Sequence, residues 1–228
     1  MVKTEAGLDD VSGHLETPGL PKQYASLADA YLVPEGGRLV PIHKCLLAVW
    51  SPVLSDLFQS ATRSFTGGLE RIPMPGHTVA SICRCLKFLY KRATTQAAET
   101  PSKNLWQSVE DARPIIQFAH EFNMQSILLE CDTCLASQAT ADSEQIFKDN
   151  DTTVAWAALA EECGLKTLLA HAELFMVKYA DSAFWQSPAF HKYQLSLSCM
   201  LRMLQAAQLN MNDWSSMFTR DVPKKGAP

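Results

Sequence analysis

The chain reads D-A-Y-L-V-P-E-G-G-R-L-V-P-I-H-K-C-L-L-A-V-W-S-P-V-L-S-D-L-F from Asp29 to Phe58, and this stretch predicts a β-hairpin that leads directly into two helices. Residues 31–33 and 39–42 are typical strand formers, and the glycines between them tolerate the positive φ of a tight turn. Ser51 can cap the second helix. Pro52 fits the first position of that helix, where its missing N–H is not needed. The order is therefore strand, turn, strand and helix pair.

Three features of this stretch resemble the opening of a BTB/POZ domain: an acid at the first strand, a His-basic pair at the first helix, and a Phe that closes the helix pair. The resemblance continues downstream through a short strand with prolines, a helix that ends C-L-K-F-L-Y, and I-I-Q-F-A-H-E-F-N-M followed by L-L-E-C-D. The chain is identified on these motifs as a member of the BTB/POZ family. That implies an α+β fold in which a small sheet is capped by helical hairpins. The matching residues are Asp29, His43, Lys44, Leu47, Ser51, Leu54 and Phe58, then 72–75, 85–90, 115–124 and 128–132.

Composition and helical spacing divide the rest of the chain. Residues 1–22 mix Gly, Pro and charges without a period and are predicted to be a mobile leader. The BTB/POZ domain is assigned to 23–139, with a surface insertion at 91–108. Residues 140–217 keep a helical spacing and resemble the BACK-type extension that often follows a BTB domain, and 218–228 are predicted to be a disordered tail. The last predicted helix contains Leu197, Leu201 and Leu204.

Charge and hydropathy restrict the classes of partner. The 228 residues carry a net charge of −4, and no basic stripe suited to nucleic acid is present. The N-terminus lacks the apolar core of a signal peptide, and no uninterrupted apolar run is long enough to span a bilayer. We therefore expect no nucleic acid and no membrane as partners, and a location in the cytoplasm or nucleus.

Motifs that carry enzyme chemistry are missing from the sequence. No Gly-rich phosphate loop follows a strand, and there is no G-x-S-x-G elbow or H-E-x-x-H helix. His43, at the start of a helix, is interpreted as a fold residue that bonds backbone or a carboxylate. Cys131 and Cys134 have the only metal-like spacing, and on a helix they are interpreted as core thiols. We expect no enzyme activity, no cofactor and no metal.

Asp29 and Lys44 form a charged pair that admits two interpretations. The resemblance implies that an acid on the first strand and a base at the start of the first helix form the charged pocket at the dimer interface of BTB proteins. The other interpretation is an ordinary, partly exposed ion pair worth less than about 1 kcal/mol. The residue types fit both interpretations.

The loop S-A-T-R-S-F-T-G-G-L-E-R, residues 60–71, resembles the loop that cullin-binding BTB proteins present to the cullin scaffold. Those proteins offer a hydrophobic residue and, two positions later, a glutamate. Here Phe65 and Leu69 are the apolar candidates, but Glu70 follows Leu69 directly, so the spacing departs by one residue. Leu69 could equally pack beneath the next strand. The resemblance also assigns Asn123 and Met124 to the cullin-facing surface.

The resemblance implies a non-enzymatic adaptor. We expect the protein to form a homodimer through its BTB domain and to dock a cullin-3 type E3 ubiquitin ligase scaffold. It would then support ubiquitination of an unknown substrate protein, held by the helical part or the insertion. The alternative is an oligomerisation module of a transcriptional or scaffold complex without a ubiquitin role.

Overall fold

The chain divides into two compact units, Met1–Glu99 and Thr100–Pro228. In the described residues the first unit holds the β-sheet and the second unit is helical. The predicted leader and Phe65 lie outside the described residues. The computed structural model describes residues 27–62, 69–94, 106, 108–179 and 188–220.

Three strands form the sheet of the first unit in the order β2-β1-β3. The hairpin predicted from the sequence is confirmed: β1 and β2 are antiparallel, with Leu32 opposite Val40. Gly36 and Gly37 turn the chain with φ values of 93° and 74°, which side chains rarely adopt. β3 lies parallel to β1 on its other edge. The strands are β1 (Ala30–Pro34), β2 (Val40–Ile42) and β3 (Glu70–Met74).

Helices α1 (Lys44–Trp50), α2 (Pro52–Thr62) and α3 (Val79–Thr94) complete this unit. The predicted helix pair is confirmed, because the Ser51 side-chain oxygen accepts a hydrogen bond from the N–H of Leu54 at 2.9 Å and so caps α2. α3 continues to Thr94. The predicted insertion therefore begins too early at residue 91, since an amphipathic helix holds the chain for a further turn.

The second unit is built around one helix, α8, which packs against α5, α7 and α10. Its apolar core includes the fully buried Trp156, and the Arg113 guanidinium lies over the ring of that tryptophan at 4.1 Å. A 3-10 turn, Val109–Asp111, precedes the helices. They are α4 (Ala112–Glu121), α5 (Gln125–Ala141), α6 (Ser143–Ile146), α7 (Asn150–Cys163), α8 (Lys166–Tyr179), α9 (Pro188–Lys192) and α10 (Leu197–Arg220).

A buried aspartate on α5 holds the beginning of α8. Asp132 is almost fully buried, and its two carboxylate oxygens accept hydrogen bonds from the N–H groups of Thr167 at 3.1 Å and Leu168 at 2.8 Å. The first N–H groups of a helix have no partner within the helix, and the positive end of the helix dipole lies there. Asp132 thus caps α8 from a neighbouring helix.

The last helix, α10, is fixed to the same core by charged contacts. Arg202 donates to both carboxylate oxygens of Glu173 on α8, with its Nε at 2.9 and 3.1 Å. Before the helix, Ser196 donates its N–H to Glu161 at 2.9 Å and its hydroxyl to the same carboxylate. α10 continues to Arg220, so the tail predicted from residue 218 begins too early. None of the helices in the described ranges meets the length and hydropathy needed to span a bilayer.

Candidate partner-binding surfaces

Asp29, just before β1, caps the first helix. Its Oδ1 accepts a hydrogen bond from the backbone N–H of Lys44 at 2.8 Å. His43 occupies the cap position of α1 but makes no side-chain capping bond. The carboxylate of Asp29 therefore replaces a local cap, and its charge lies at the positive end of the helix.

The side chain of Lys44 is directed to a different acid. Its Nζ lies 3.2 Å from Oε2 of Glu70, the first residue of β3, and the side chains of Lys44 and Glu70 are 24% and 10% exposed. The other oxygen of Glu70 is buried without a hydrogen-bond partner. An ion pair this poorly hydrated depends on both members being present.

These contacts correct two predictions. Asp29 and Lys44 do meet, but through the Lys44 backbone. Of the two interpretations, the ordinary ion pair between their side chains is therefore wrong, and the Lys44 side chain pairs with Glu70 instead. Glu70 was predicted to face a partner, and instead it is mostly buried and engaged within its own domain. The cause is that the parallel pairing of β1 with β3 places Glu70 opposite Ala30, beside the start of α1. The assignment of Asp29 and Lys44 to a dimer interface stays a prediction.

An outward apolar face on the helix pair was missed by the sequence analysis. Val53 and Leu57 of α2 are 42% and 38% exposed, and Val49 of α1 is 78% exposed. Val53 and Leu57 are one turn apart on the same face. A signal was available, since Leu54 and Phe58 already provide the buried face of this helix. Val53 and Leu57 repeat at the same helical spacing, but they lie on the side of α2 that does not face the core.

Leu69 lies at the end of the segment 63–68, immediately before β3. It is 42% exposed, so it does not pack fully beneath the next strand. The assignment of Leu69 to a partner surface stays a prediction. Phe65 of the same predicted surface lies outside the described residues.

The two candidate partner residues of the second unit differ from each other. Asn123 is exposed, with φ at 51°, and its side-chain oxygen accepts a hydrogen bond from Nε2 of Gln125 at 2.7 Å. Met124 is fully buried. The prediction that Met124 faces a partner is therefore wrong, because the left-handed turn at Asn123 directs the chain back into the core before α5.

His43 and Tyr90 form a buried pair in the first unit. The Tyr90 hydroxyl accepts a hydrogen bond from the backbone N–H of His43 at 3.2 Å, and it lies 3.3 Å from Nδ1 of the His43 ring. Burial raises the pKa of Tyr90 to about 12, so the phenol stays protonated. His43 therefore contributes to the fold of the first unit through this contact with Tyr90.

None of the seven cysteines forms a disulfide, and four of them are buried: Cys85, Cys131, Cys163 and Cys199. Burial raises the pKa of Cys163 to about 11 and that of Cys199 to about 12, which makes both thiols poor nucleophiles and poor ligands. Cys134 is half-buried, one turn from Cys131, and Cys45 is exposed. Within the described ranges no three His, Cys, Asp or Glu residues come together as a metal site.

A family model of the BTB/POZ domain matches residues 20–139, more than half of the chain. The matched range includes Asp29, Lys44 and Leu69, and it ends within α5, close to the end of that helix. No curated protein matches the chain.

Proposed function

Because the chain belongs to the BTB/POZ family, whose domains are protein-interaction modules that commonly dimerise, we propose that it is a non-enzymatic adaptor for a cullin-3 type E3 ubiquitin ligase. In this proposal it forms a homodimer through the BTB domain, docks the cullin scaffold and supports ubiquitination of a protein that it holds. A cytoplasmic or nuclear location belongs to the same proposal.

The observation that carries the docking step is the apolar side chains displayed on both sides of the segment 63–68. Val53 and Leu57 are exposed on α2, which leads into this segment, and Leu69 is exposed where the segment ends. Apolar side chains that become fully desolvated at the centre of an interface contribute most of its binding free energy. The proposed scaffold contact is therefore an apolar one.

One observation favours the alternative, an oligomerisation module of a transcriptional or scaffold complex. Cullin-binding relatives present a glutamate two positions after the hydrophobic residue, whereas here Glu70 follows Leu69 directly and its carboxylate is engaged by Lys44. The glutamate of that contact is therefore missing from its usual position. Binding of a cullin would then depend on the exposed apolar side chains alone.

A binding measurement separates the two functions. We expect the Leu57→Ala and Leu69→Ala double variant to bind a purified cullin-3 type scaffold at least about thirtyfold more weakly than the native chain, since two truncated anchors remove roughly 2 kcal/mol or more. Binding is measured by biolayer interferometry on immobilised chain. The melting temperature should change little because both side chains are already in contact with water.

The matched control is the double variant Leu129→Ala and Leu174→Ala, which truncates two exposed leucines of the second unit. It should bind as the native chain does. Native chain that fails to bind the scaffold, or a Leu57 and Leu69 variant that binds normally, would contradict the proposal. The first outcome would favour the oligomerisation module.

The homodimer has its own test. Light scattering of the full chain at micromolar concentration is expected to give about twice the chain mass of 25.2 kDa, because BTB domains commonly pair. A mass equal to a single chain at this concentration would contradict the dimer.

A further inference from the structure

One side of α3 is basic. Arg84, Lys87 and Lys91 are exposed and are separated by three and four residues, so they lie one after another along the same side of the helix. We call these three residues the basic face. Arg38 of the β1–β2 turn adds a fourth positive charge nearby. Its charge reaches Cys83, one turn before Lys87, where burial raises the pKa of the thiol and Arg38 lowers it in part.

The arrangement is unfavourable for the helix itself. Residues three or four apart on a helix are neighbours, and like charges at these intervals destabilise it. Arg84 with Lys87 and Lys87 with Lys91 are such pairs, and α3 contains neither Asp nor Glu. Lys91 lies in the last turn, where the helix dipole favours a cation, but Arg84 and Lys87 lie too far from that end to gain from it. The folding of α3 therefore does not explain why these positions are basic.

The acids of the first unit serve other contacts. The described part of this unit contains seven Lys and Arg residues against four Asp and Glu, so it is net positive although the whole chain carries −4. Asp29 caps α1, and Glu70 pairs with Lys44. Glu35 accepts a hydrogen bond from the N–H of Gly76 at 3.0 Å. Three of the four carboxylates are thus bonded to residues outside α3, and the unit keeps an excess of positive charge.

The rest of the helix restricts the class of partner. Ile82, Leu86 and Leu89 are buried in the core, and the described residues of α3 include no large exposed apolar side chain, so the helix has nothing to insert into a membrane. From Arg84 to Lys91 the basic face spans about 10 Å at 1.5 Å per residue. A specific nucleic-acid interface buries roughly 1,000 Å² or more, and a chain of net negative charge repels nucleic acid at long range. The remaining class is a short acidic stretch of protein.

We propose that the basic face binds an acidic segment of a partner protein in an extended conformation. Such a segment advances about 3.3 Å per residue, so three or four residues span the face. Guanidinium and ammonium groups both bind carboxylates, and BTB domains commonly bind partner proteins. The surface uses none of the apolar side chains of the proposed cullin contact, so this inference goes beyond that function and does not depend on it.

Fluorescence anisotropy with a labelled polyglutamate peptide tests the proposal. At low ionic strength, where exposed charges are screened least, the native full chain should bind the peptide. Arg84→Gln with Lys87→Gln should bind it about tenfold more weakly, because two ionic contacts are lost. The matched control is Lys148→Gln with Lys178→Gln, which removes the same net charge from two exposed lysines of the second unit. The control should bind almost as tightly as the native chain.

Thermal unfolding of the same variants shows whether the side chains serve the fold. The melting temperature of the Arg84 and Lys87 variant should not fall, since the substitution removes like charges from neighbouring positions. A variant that melts well below the native chain would assign these side chains to the fold and overturn the proposal.

Three binding results would also overturn it. The first is native chain that does not bind the peptide, and the second is an equal loss in both double variants, because net charge alone would then explain the binding. The third is a labelled single-stranded oligonucleotide of equal charge that binds the native chain as tightly as the peptide, which would make the face a nucleic-acid site. A loss confined to the Arg84 and Lys87 variant, with weaker binding of the oligonucleotide, supports the proposal whether or not a cullin binds.

Discussion

Replacing Asp132 with alanine is expected to lower the free energy of unfolding of the second unit by about 3 kcal/mol. Two backbone N–H groups, those of Thr167 and Leu168, lose a carboxylate acceptor. A hydrogen bond to a charged group contributes roughly 1.5–3 kcal/mol, and a buried donor left without a partner carries a similar penalty. The site is buried, so water replaces the carboxylate poorly. The change is measured by urea unfolding followed by circular dichroism.

Asp149→Ala is the matched control. Asp149 also caps a helix, since it accepts from the N–H of Thr152 at 2.6 Å, and this bond lowers the pKa of Asp149. The residue is exposed, so water can replace its carboxylate, and the loss should stay near 1 kcal/mol, as for ordinary caps. A loss from Asp132→Ala no larger than that from Asp149→Ala would show that the buried contact has no special role.

Lys44→Met is expected to lower the free energy of unfolding by about 2–3 kcal/mol, because it leaves Glu70 as an uncompensated and mostly buried charge. One oxygen of that carboxylate already has no hydrogen-bond partner, so removing the ammonium deprives the other oxygen as well. The partial exposure of Lys44 keeps the effect below that of a fully buried pair. Chemical denaturation monitored by circular dichroism gives the value.

A second substitution isolates the charge. Adding Glu70→Gln to Lys44→Met removes the stranded carboxylate, so the double variant should be more stable than Lys44→Met alone, an asymmetry expected when one member of a buried pair is lost. If the double variant is less stable than the single one, the loss comes from the packing of the lysine stem and the account of the charge pair is wrong.

Local signals were sufficient to predict the secondary structure around the sheet. Gly36 and Gly37 in the turn and Ser51 before α2 act within three or four residues of themselves, and a sequence window contains all the relevant atoms. The family resemblance supplied the fold class for the same reason, since its motifs are sets of such local signals.

The candidate site was less predictable because its contacts join distant parts of the chain. Glu70 meets Lys44 across 26 residues. No local sequence pattern shows that the first residue of β3 lies beside the start of α1. The burial of Met124 depends on the helices around it. Val53 and Leu57 of α2 are exposed because Leu54 and Phe58 form the side of this helix that packs into the core.

The cap that Asp132 provides for α8 has a consequence for how this protein can be divided by recombination. The family match ends at residue 139, and a gene fusion or splice junction at that point would keep α5 and discard the helix that α5 holds. The junction would leave a carboxylate without its N–H donors and an apolar helix side facing water. We therefore expect a fragment that ends at residue 139 to be less stable than one that also contains α8.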